Sequence, residues 1–544
     1  VSLPGVAGQQ RSTTAHIQIL AFNDFHGSLE PRTGASGRIG TADAGGVEYL
    51  AAHLAQLRHA NPNSIVVSAG DNIGASPLLS SMFHDEPTIE ALNAAGLQIS
   101  AVGNHELDEG WRELTRMQRG GCHPVDGCQD HTPFSGAHFE YLAANIRIDP
   151  RAAGAGAPQR PLPSFAIRTI DGVKIGFIGL TLRTAPQLVS REGVAGLTFE
   201  PEAEAANTAA RALRQRGVGT IVVLIHEGGD RTGNDVNSCD DFKGPLVDIV
   251  HGMSDAIDVV VSGHTHEAYI CTIDGKLVTS AANYGRLITD IDLTVNRRSG
   301  RVVTKRAENI IVTQDTNKTA EESSIIAHYR PLAATLGNRV IGTVTGPVIR
   351  RPTADGECPT GIVIADGMLE GTRDARRGGA VAAVMNPGGV RADLIGVPAG
   401  PQMPRPVTYE QAFDILPFGN QIIVKTMTGE AIVRMLEQQF ENRTSECGRF
   451  LQVAGIEYAY DPDGPIGRRI DRASIRIGGR PLVDSDRYPI ASNDFFWGGG
   501  DNFLVAREST DAVAAGPDVD LFVEYLQHHM PLSPPAPGRI RRNR

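Results

Sequence analysis

"HIQILAFNDFH", residues 16–26, alternates apolar and polar side chains as a strand does and then stops at Asn23, Asp24 and His26. Downstream, "GGVEYLAAHLAQLRHA" (45–60) spaces Val47, Leu50, Ala51, Leu54 and Leu57 as one face of a helix does. The rhythm repeats. Strands are predicted in "SIVVSAGD" (64–71), "ISAVGN" (99–104), "KIGFIGLT" (174–181), "TIVVLIHEGG" (220–229) and "AIDVVVSGHTH" (256–266), with helical stretches such as "EAEAANTAARALRQRG" (202–217) between several of them. Strands alternating with helices predict an α/β layered domain.

What ends each strand is a second pattern: Asp24 and His26, then Asp71 and Asn72, Asn104 and His105, His226, and finally His264 and His266. In open α/β sheets, ligands bind beyond the carboxyl ends of the strands, so these side chains are expected to converge in one crevice. Residues i and i+2 of an extended segment share a side, which lets Asp24 and His26 chelate together. Adjacent Asn104 and His105 tend to point apart, which predicts an amide that binds a metal beside an imidazole that acts as a reagent. Mixed carboxylate, imidazole and amide donors suit Zn, Mn, Fe or Co rather than Ca. Two such ions about 3.5–4 Å apart clamp an in-line phosphoryl displacement. The histidines on polar or helical stretches, His53, His59, His84, His251, His528 and His529, are expected to be solvated.

Composition narrows the class. The 544 residues allow two to four domains, and 41% hydrophobic with 21% charged content is ordinary for a globular chain. A net charge of −11 argues against a nucleic acid polymer as partner. No apolar run is long enough to span a membrane, and the sequence closes on the polar "PGRIRRNR". The opening "VSLPGVAGQQRSTTAH" resembles a chain whose export signal has been removed, so a periplasmic or secreted location is expected. The six cysteines form no C-x-x-C cluster and suggest disulfides. Of the fifteen pairings they permit, the favoured set is Cys122 with Cys128, which bracket the short loop "CHPVDGC", then Cys239 with Cys271 and Cys358 with Cys447.

After Asp290 the sequence turns strand-like, and residues 319–339 read as a connecting helix that opens with a capping box, Thr319 to Glu322. Pro331 is expected to end or kink that helix. The division is therefore 1–318, a linker over 319–339, and a second α/β domain over 340–544, with "AAGAGAPQRPLP" (152–163) as a loop. In the second half, "MNPGGVRADL" (385–394) offers backbone N–H groups at Gly388 and Gly389 and a guanidinium at Arg391 for an anion. Phe418 in "ILPFGNQ" and Phe495 in "PIASNDFFWGGGDNF" precede glycines in loops, where two rings can sandwich a base while Asn420 and Asp501 bond its edge.

The segments "NDFHG", "SAGDNIGASPL", "GNHELDEG", "IHEGG" and "GHTHE" resemble the metallophosphatase signatures of the 5′-nucleotidase family, and "PFGN" and the F-x-x-x-G-G-D run resemble its nucleotide-binding motifs. The resemblance covers nearly the whole chain. It implies a four-layer calcineurin-like metallophosphoesterase sandwich followed by an α/β substrate-binding domain, and two divalent ions. One ion would be held by Asp24, His26 and His266 and the other by Asn104, His226 and His264, with Asp71 bridging. His105, steadied by Asp108, would be the catalytic imidazole. Arg350, Asn386, Gly388, Gly389, Arg391, Phe418, Asn420, Phe495 and Asp501 would receive the substrate. The chain departs from the family pattern at His266, where many relatives carry Gln, at Ala354, where an arginine is usual, and at Pro387, where a glycine is usual. The implied reaction is metal-dependent hydrolysis of 5′-nucleotides to nucleoside and phosphate. Rival readings are a UDP-sugar or nucleotide pyrophosphatase, a 2′,3′-cyclic phosphodiesterase, a thiosulfate-ester hydrolase and, outside catalysis, a nucleotide-binding surface protein.

Overall fold

In the computed structural model, which describes residues 12–149, 151, 159–397, 403–441 and 445–543, the first half is built on two six-stranded sheets. The first runs Val302–Ile311, Leu287–Asn296, Thr14–Phe22, Ser64–Ser68, Ile99–Ala101, Glu140–Leu142 in spatial order. The second runs Ala268–Ile273, Lys276–Ala281, Val259–Ser262, Thr220–His226, Val173–Thr181, Phe165–Ile170. Alternation within Thr14–Phe22 explains the layering. Ile17, Ile19 and Ala21 face Phe177, Val222, Leu224, Val259 and Val261 of the other sheet, while Leu20 and Phe22 turn outward to a helical layer.

That outer layer is formed by Val47–Ala60, Glu86–Ala94, Trp111–Arg119 and Ala320–Gly337, which bury Leu50, Leu54, Ile89, Leu114 and Tyr329. Helices Glu202–Gln215 and Pro245–Gly252 cover the second sheet through Ala206, Ala210, Leu213, Leu246 and Val250. The result is the four-layer sandwich expected from the resemblance. The central strands of each sheet are parallel, 14–22 with 64–68 and 99–101, and 173–181 with 220–226 and 259–262. Their carboxyl ends therefore lie along a common edge within each sheet.

The helix Ala320–Gly337 leads into the second half, and two of its details differ from the sequence reading. It runs through Pro331 without ending there. Burial of Tyr329 and Ala333 and the pairing of Arg330 with Glu30 and Glu410 hold the turn that proline weakens. No capping box forms: Thr319 is the N-cap, but its hydroxyl donates to the Glu48 carbonyl at 3.2 Å. Beyond it, a five-stranded sheet is ordered Gln452–Ala454, Ala382–Met385, Arg487–Asn493, Gln421–Thr428, Thr510–Pro517, with helices Pro359–Thr372 and Asp518–His528 packed on one face. Gly429–Gln438 and a four-stranded sheet complete this domain.

Disulfides join Cys122 to Cys128, Cys239 to Cys271 and Cys358 to Cys447. The expected loop at 152–163 and the opening residues fall partly outside the described residues.

The two sheets approach closely at Gly179, where an added Cβ would sit 2.2 Å from the Leu142 carbonyl oxygen. Gly179→Val should therefore lower the denaturant midpoint of the first domain by the equivalent of roughly 1–3 kcal/mol. An unchanged midpoint would show that the sheets tolerate separation there.

Candidate metal and nucleotide site

The strands Thr14–Phe22, Ser64–Ser68 and Val259–Ser262 hand the chain to turns that most residues avoid. Asp24, His26, Asp71, His264 and His266 all have positive φ, between 48° and 72°. This left-handed region is costly for residues with a Cβ, and it persists only where surrounding structure overdetermines it. Here the turns are laced together. Asp24 N–H donates to the Gly70 carbonyl and His26 N–H to that of Asp71, both at 3.0 Å, while the His264 N–H reaches Asp24 Oδ2 at 2.9 Å.

Glu106 ties two of these loops. Its buried carboxylate accepts from the backbone N–H groups of Asp71 (2.9 Å), Asn72 (2.8 Å) and Gly103 (2.6 Å), and burial, with Asp71 nearby, pushes its pKa up to about 7. Two glycines make the space. A Cβ on Gly103 would lie 2.0 Å from Asp71 Oδ1, and one on Gly263 would lie 2.8 Å from Asp24 Oδ2.

The donors gather in two groups that share an edge. In one, His26 Nε2 lies 3.1 Å from His266 Nε2, and Asp24 Oδ1 lies 3.4 Å from His266 Nε2. In the other, ligand atoms of Asp71, His226 and His264 lie within 4.8 Å of one another, with Asp71 Oδ2 2.9 Å from His226 Nε2. Asp71 Oδ2 is also 3.7 Å from His26 Nε2, so the carboxylate stands between the groups.

Several features fit divalent cations. The Nδ1 of His26 faces the Gly74 carbonyl and that of His226 the Ala69 carbonyl, both at 2.9 Å. A carbonyl only accepts, so each Nδ1 carries its hydrogen and Nε2 presents its lone pair to the cluster. Asn104 Oδ1 is buried with no hydrogen-bond partner among the described residues. The carboxylates also draw positive charge: burial opposes protonation of His226, yet Asp71 and Asp24 push it up to about 10. Burial would raise Asp71 itself, but His226, His105 and His26 hold it well below the usual carboxylate range.

His105 stands beside this cluster. Its Nδ1 is 2.8 Å from Asp108 Oδ2 and its backbone N–H donates to Asp71 Oδ1 at 2.9 Å. Burial would lower its pKa, but Asp108 and Asp71 raise it.

The second domain reaches the same place. Arg391 Nη2 lies 3.5 Å from His26 Nε2, and the Phe418 ring stacks on His105 with centroids 5.6 Å apart and an interplanar angle of 22°. The strand Gln421–Thr428 starts just after Asn420 and pairs antiparallel with Arg487–Asn493, Ile422 opposite Asn493, so Phe418 and Phe495 flank one end of the sheet. Phe495 is half-buried, its ring close against Gly500.

Other expected substrate residues carry protein partners. Asp501 accepts from Asn386 Nδ2 at 2.8 Å and sits against Gly388, Asn386 Oδ1 accepts from Asn493, and Asn420 Nδ2 is 3.4 Å from Asp518 Oδ2. This network holds the Asn386–Gly389 loop that leads into Arg391. Arg350 is buried, pairs with Glu446 at 2.5 Å and donates to Ser36. Its charge is taken up inside the protein.

Sequence reasoning missed Glu106, Tyr284, Asn283, Arg32 and Glu446. Tyr284 is buried with its ring 6.0 Å from that of His26 and 5.7 Å from that of His266, and the Arg32 guanidinium lies over it at 4.6 Å. A signal existed: "KLVTSAANYG" is another parallel strand, Lys276–Ala281, that ends on the same edge at Asn283 and Tyr284. Asn283 Nδ2 lies 2.8 Å from His266 Nδ1 and 3.3 Å from Glu446 Oε1. The expectation of solvated histidines also fails for His84, whose two nitrogens lie against Glu109 and Asp126.

Comparison with known proteins agrees with this arrangement. Residues 17–268 match the calcineurin-like phosphoesterase model and residues 340–508 the 5′-nucleotidase C-terminal domain model. The cell wall protein Lmo0130 of Listeria monocytogenes is 30% identical over 96% of this chain and 68% of its own length. The endonuclease YhcR of Bacillus subtilis is 29% identical over 98% of this chain, which spans only 42% of that protein's length. The fold is that of a 5′-nucleotidase precursor from Thermus thermophilus, with a TM-score of 0.78 at 24% identity over 97% of this chain and 99% of that one. The motifs, the four-layer sandwich and both matched domains together place the chain in the 5′-nucleotidase family of metallophosphoesterases.

Proposed function

We propose that this chain is an exported hydrolase that converts 5′-nucleotides to nucleosides and phosphate with two divalent ions. The observation that carries the reading is the convergence of Asp24, His26, Asp71, Asn104, His226, His264 and His266 beside His105, with Arg391 arriving from the other domain. Asp24, His26 and His266 would hold one ion, Asn104, His226 and His264 the other, and Asp71 both. Bound there, the ions would neutralise phosphoryl charge and lower the pKa of a water at neutral pH. Arg391 pairs with a phosphoryl oxygen through its planar fork. His105, its Nδ1 hydrogen held by Asp108, presents Nε2 to the phosphoryl group and stabilises charge that develops on its oxygens.

Phe418 and Phe495 receive the base. Because Phe418 already rests on His105 while Phe495 does not, Phe495 is the cleaner reporter of base binding. Three disulfides and the similarity to a cell wall protein favour an oxidising compartment. The similarity to a protein named an endonuclease favours a second reading, phosphodiester hydrolysis at the same centre. Rates on AMP, UDP-glucose and bis(p-nitrophenyl) phosphate separate the two.

Gly103→Ala should press its methyl group into Asp71 and shift that carboxylate, and displacements of about 1 Å at a reacting centre cost about a hundredfold. The expected result is a folded protein with reduced metal content and AMP turnover lowered by about that factor. Full metal content and normal turnover would remove Asp71 from its bridging role.

Stacking is worth about 1–3 kcal/mol per base, so Phe495→Ala should lower kcat/KM for AMP roughly tenfold to a hundredfold and leave bis(p-nitrophenyl) phosphate nearly unaffected. His105→Ala should depress both substrates. Equal effects of Phe495→Ala on both would refute the base-binding role.

A further inference from the structure

A second set of donors lies outside the strand-end cluster, around the loop that Cys122 and Cys128 close. His123 and Gly127 form a short antiparallel bridge, with N–H···O distances of 3.2 and 3.0 Å, which brings His123 and Asp126 together across the loop. His84 comes from a left-handed turn, φ 52°, and its ring stacks on that of His123 with centroids 3.8 Å apart and an interplanar angle of 17°. Asp126 Oδ2 is 2.9 Å from His84 Nε2 and 3.1 Å from His123 Nδ1. One ligand atom from each of these residues lies within 4.8 Å of the others, and Glu109, Glu113 and His123 form an overlapping group.

The arrangement can present ring nitrogens and a carboxylate to a metal. His84 Nδ1 faces Glu109 Oε2 at 2.8 Å, so an Nδ1 hydrogen held there leaves the Nε2 lone pair directed at the cluster, as in carboxylate–histidine–metal units. His123 Nδ1 accepts the Asp126 backbone N–H at 3.1 Å, which places it in its lone-pair form, with Asp126 Oδ2 also 3.1 Å away. Protonating both stacked rings would set two cations face to face, whereas one divalent ion serves both nitrogens and Asp126. The side chains of His84 and His123 are 17% and 13% exposed and that of Asp126 is 47% exposed, so the donors are ordered yet reachable.

We propose that His84, His123 and Asp126 bind a third divalent ion of the zinc class, with Glu109 as the partner that orients His84. Two imidazoles and a carboxylate with room for water are a zinc-type donor set. The ion would fasten the disulfide loop to the turn at His84 and, through Glu109, to the segment that follows Asp108, the residue that holds His105.

The test compares zinc content, by elemental analysis after dialysis against micromolar zinc, of the intact protein and of a His84→Gln, His123→Gln double variant. The intact protein should hold one more ion per chain, a difference that does not depend on how many ions the strand-end cluster binds. Equal content overturns the proposal. Asp126→Asn alters an exposed carboxylate and preserves the fold; it should weaken binding of the same ion by roughly tenfold or more, and an unchanged zinc affinity likewise overturns it.

Discussion

The carboxylate of Asp71 is the constraint around which the first domain is organised. A buried carboxylate is destabilising unless paired and hydrogen-bonded, and this one is surrounded on every side. One oxygen accepts the His105 N–H and the other meets His226 and His26. Its own backbone N–H goes to Glu106 and its carbonyl to His26 N–H. These contacts explain features that look unrelated along the chain. Gly103 has no side chain because Asp71 occupies its place, Glu106 is buried because it holds three N–H groups, and left-handed turns recur because the donors must fold back over the strand ends. The strain at those turns is offset by rigid sheets buried on both faces.

The strand-end residues were legible because their signal is local. An apolar run that stops at a carboxylate, an amide or an imidazole announces both the strand and the edge it points to. The glycines that precede them are legible in hindsight for the same reason, since "GNH" and "GHTH" each place a glycine against an aspartate from another strand. Glu106 carries no such local signal, because a carboxylate just past a strand reads as helix-terminal charge and only the fold brings three donors around it.

Other features depend on partners far away in the chain. Nothing near Glu446 indicates that it will meet Arg350 and approach His266, residues from two different domains. Arg350 is expected at the substrate only because the resemblance implies it, and its counter-charges, Glu446 and Asp393, lie far from it along the chain. Pro331 does not end its helix for a related reason: the local rule against proline inside a helix is real, but the turn around it is held by the packing of Tyr329 and Ala333. His84 looked solvated because its neighbours in sequence are polar, although its actual neighbours come from two later segments.

The way the domains meet bears on how such a centre turns over. Arg391 lies 3.5 Å from a nitrogen of His26, and Phe418 covers His105, so the reacting groups are complete only when both halves are together. The links around that meeting point are mostly polar: Arg330 with Glu410, Asn283 with Glu446, Leu78 N–H with Asp414 at 3.2 Å. Polar interdomain surfaces exchange their contacts with water at modest cost, which makes relative movement the ordinary expectation. Were the halves to part, Arg391 and Phe418 would withdraw with the second domain, whereas the strand-end donors belong to the sheets of the first. On the proposed function, the first half would keep the strand-end donors in register while movement of the second would admit the nucleotide and deliver the guanidinium, a division that would let substrate enter without loosening Asp71.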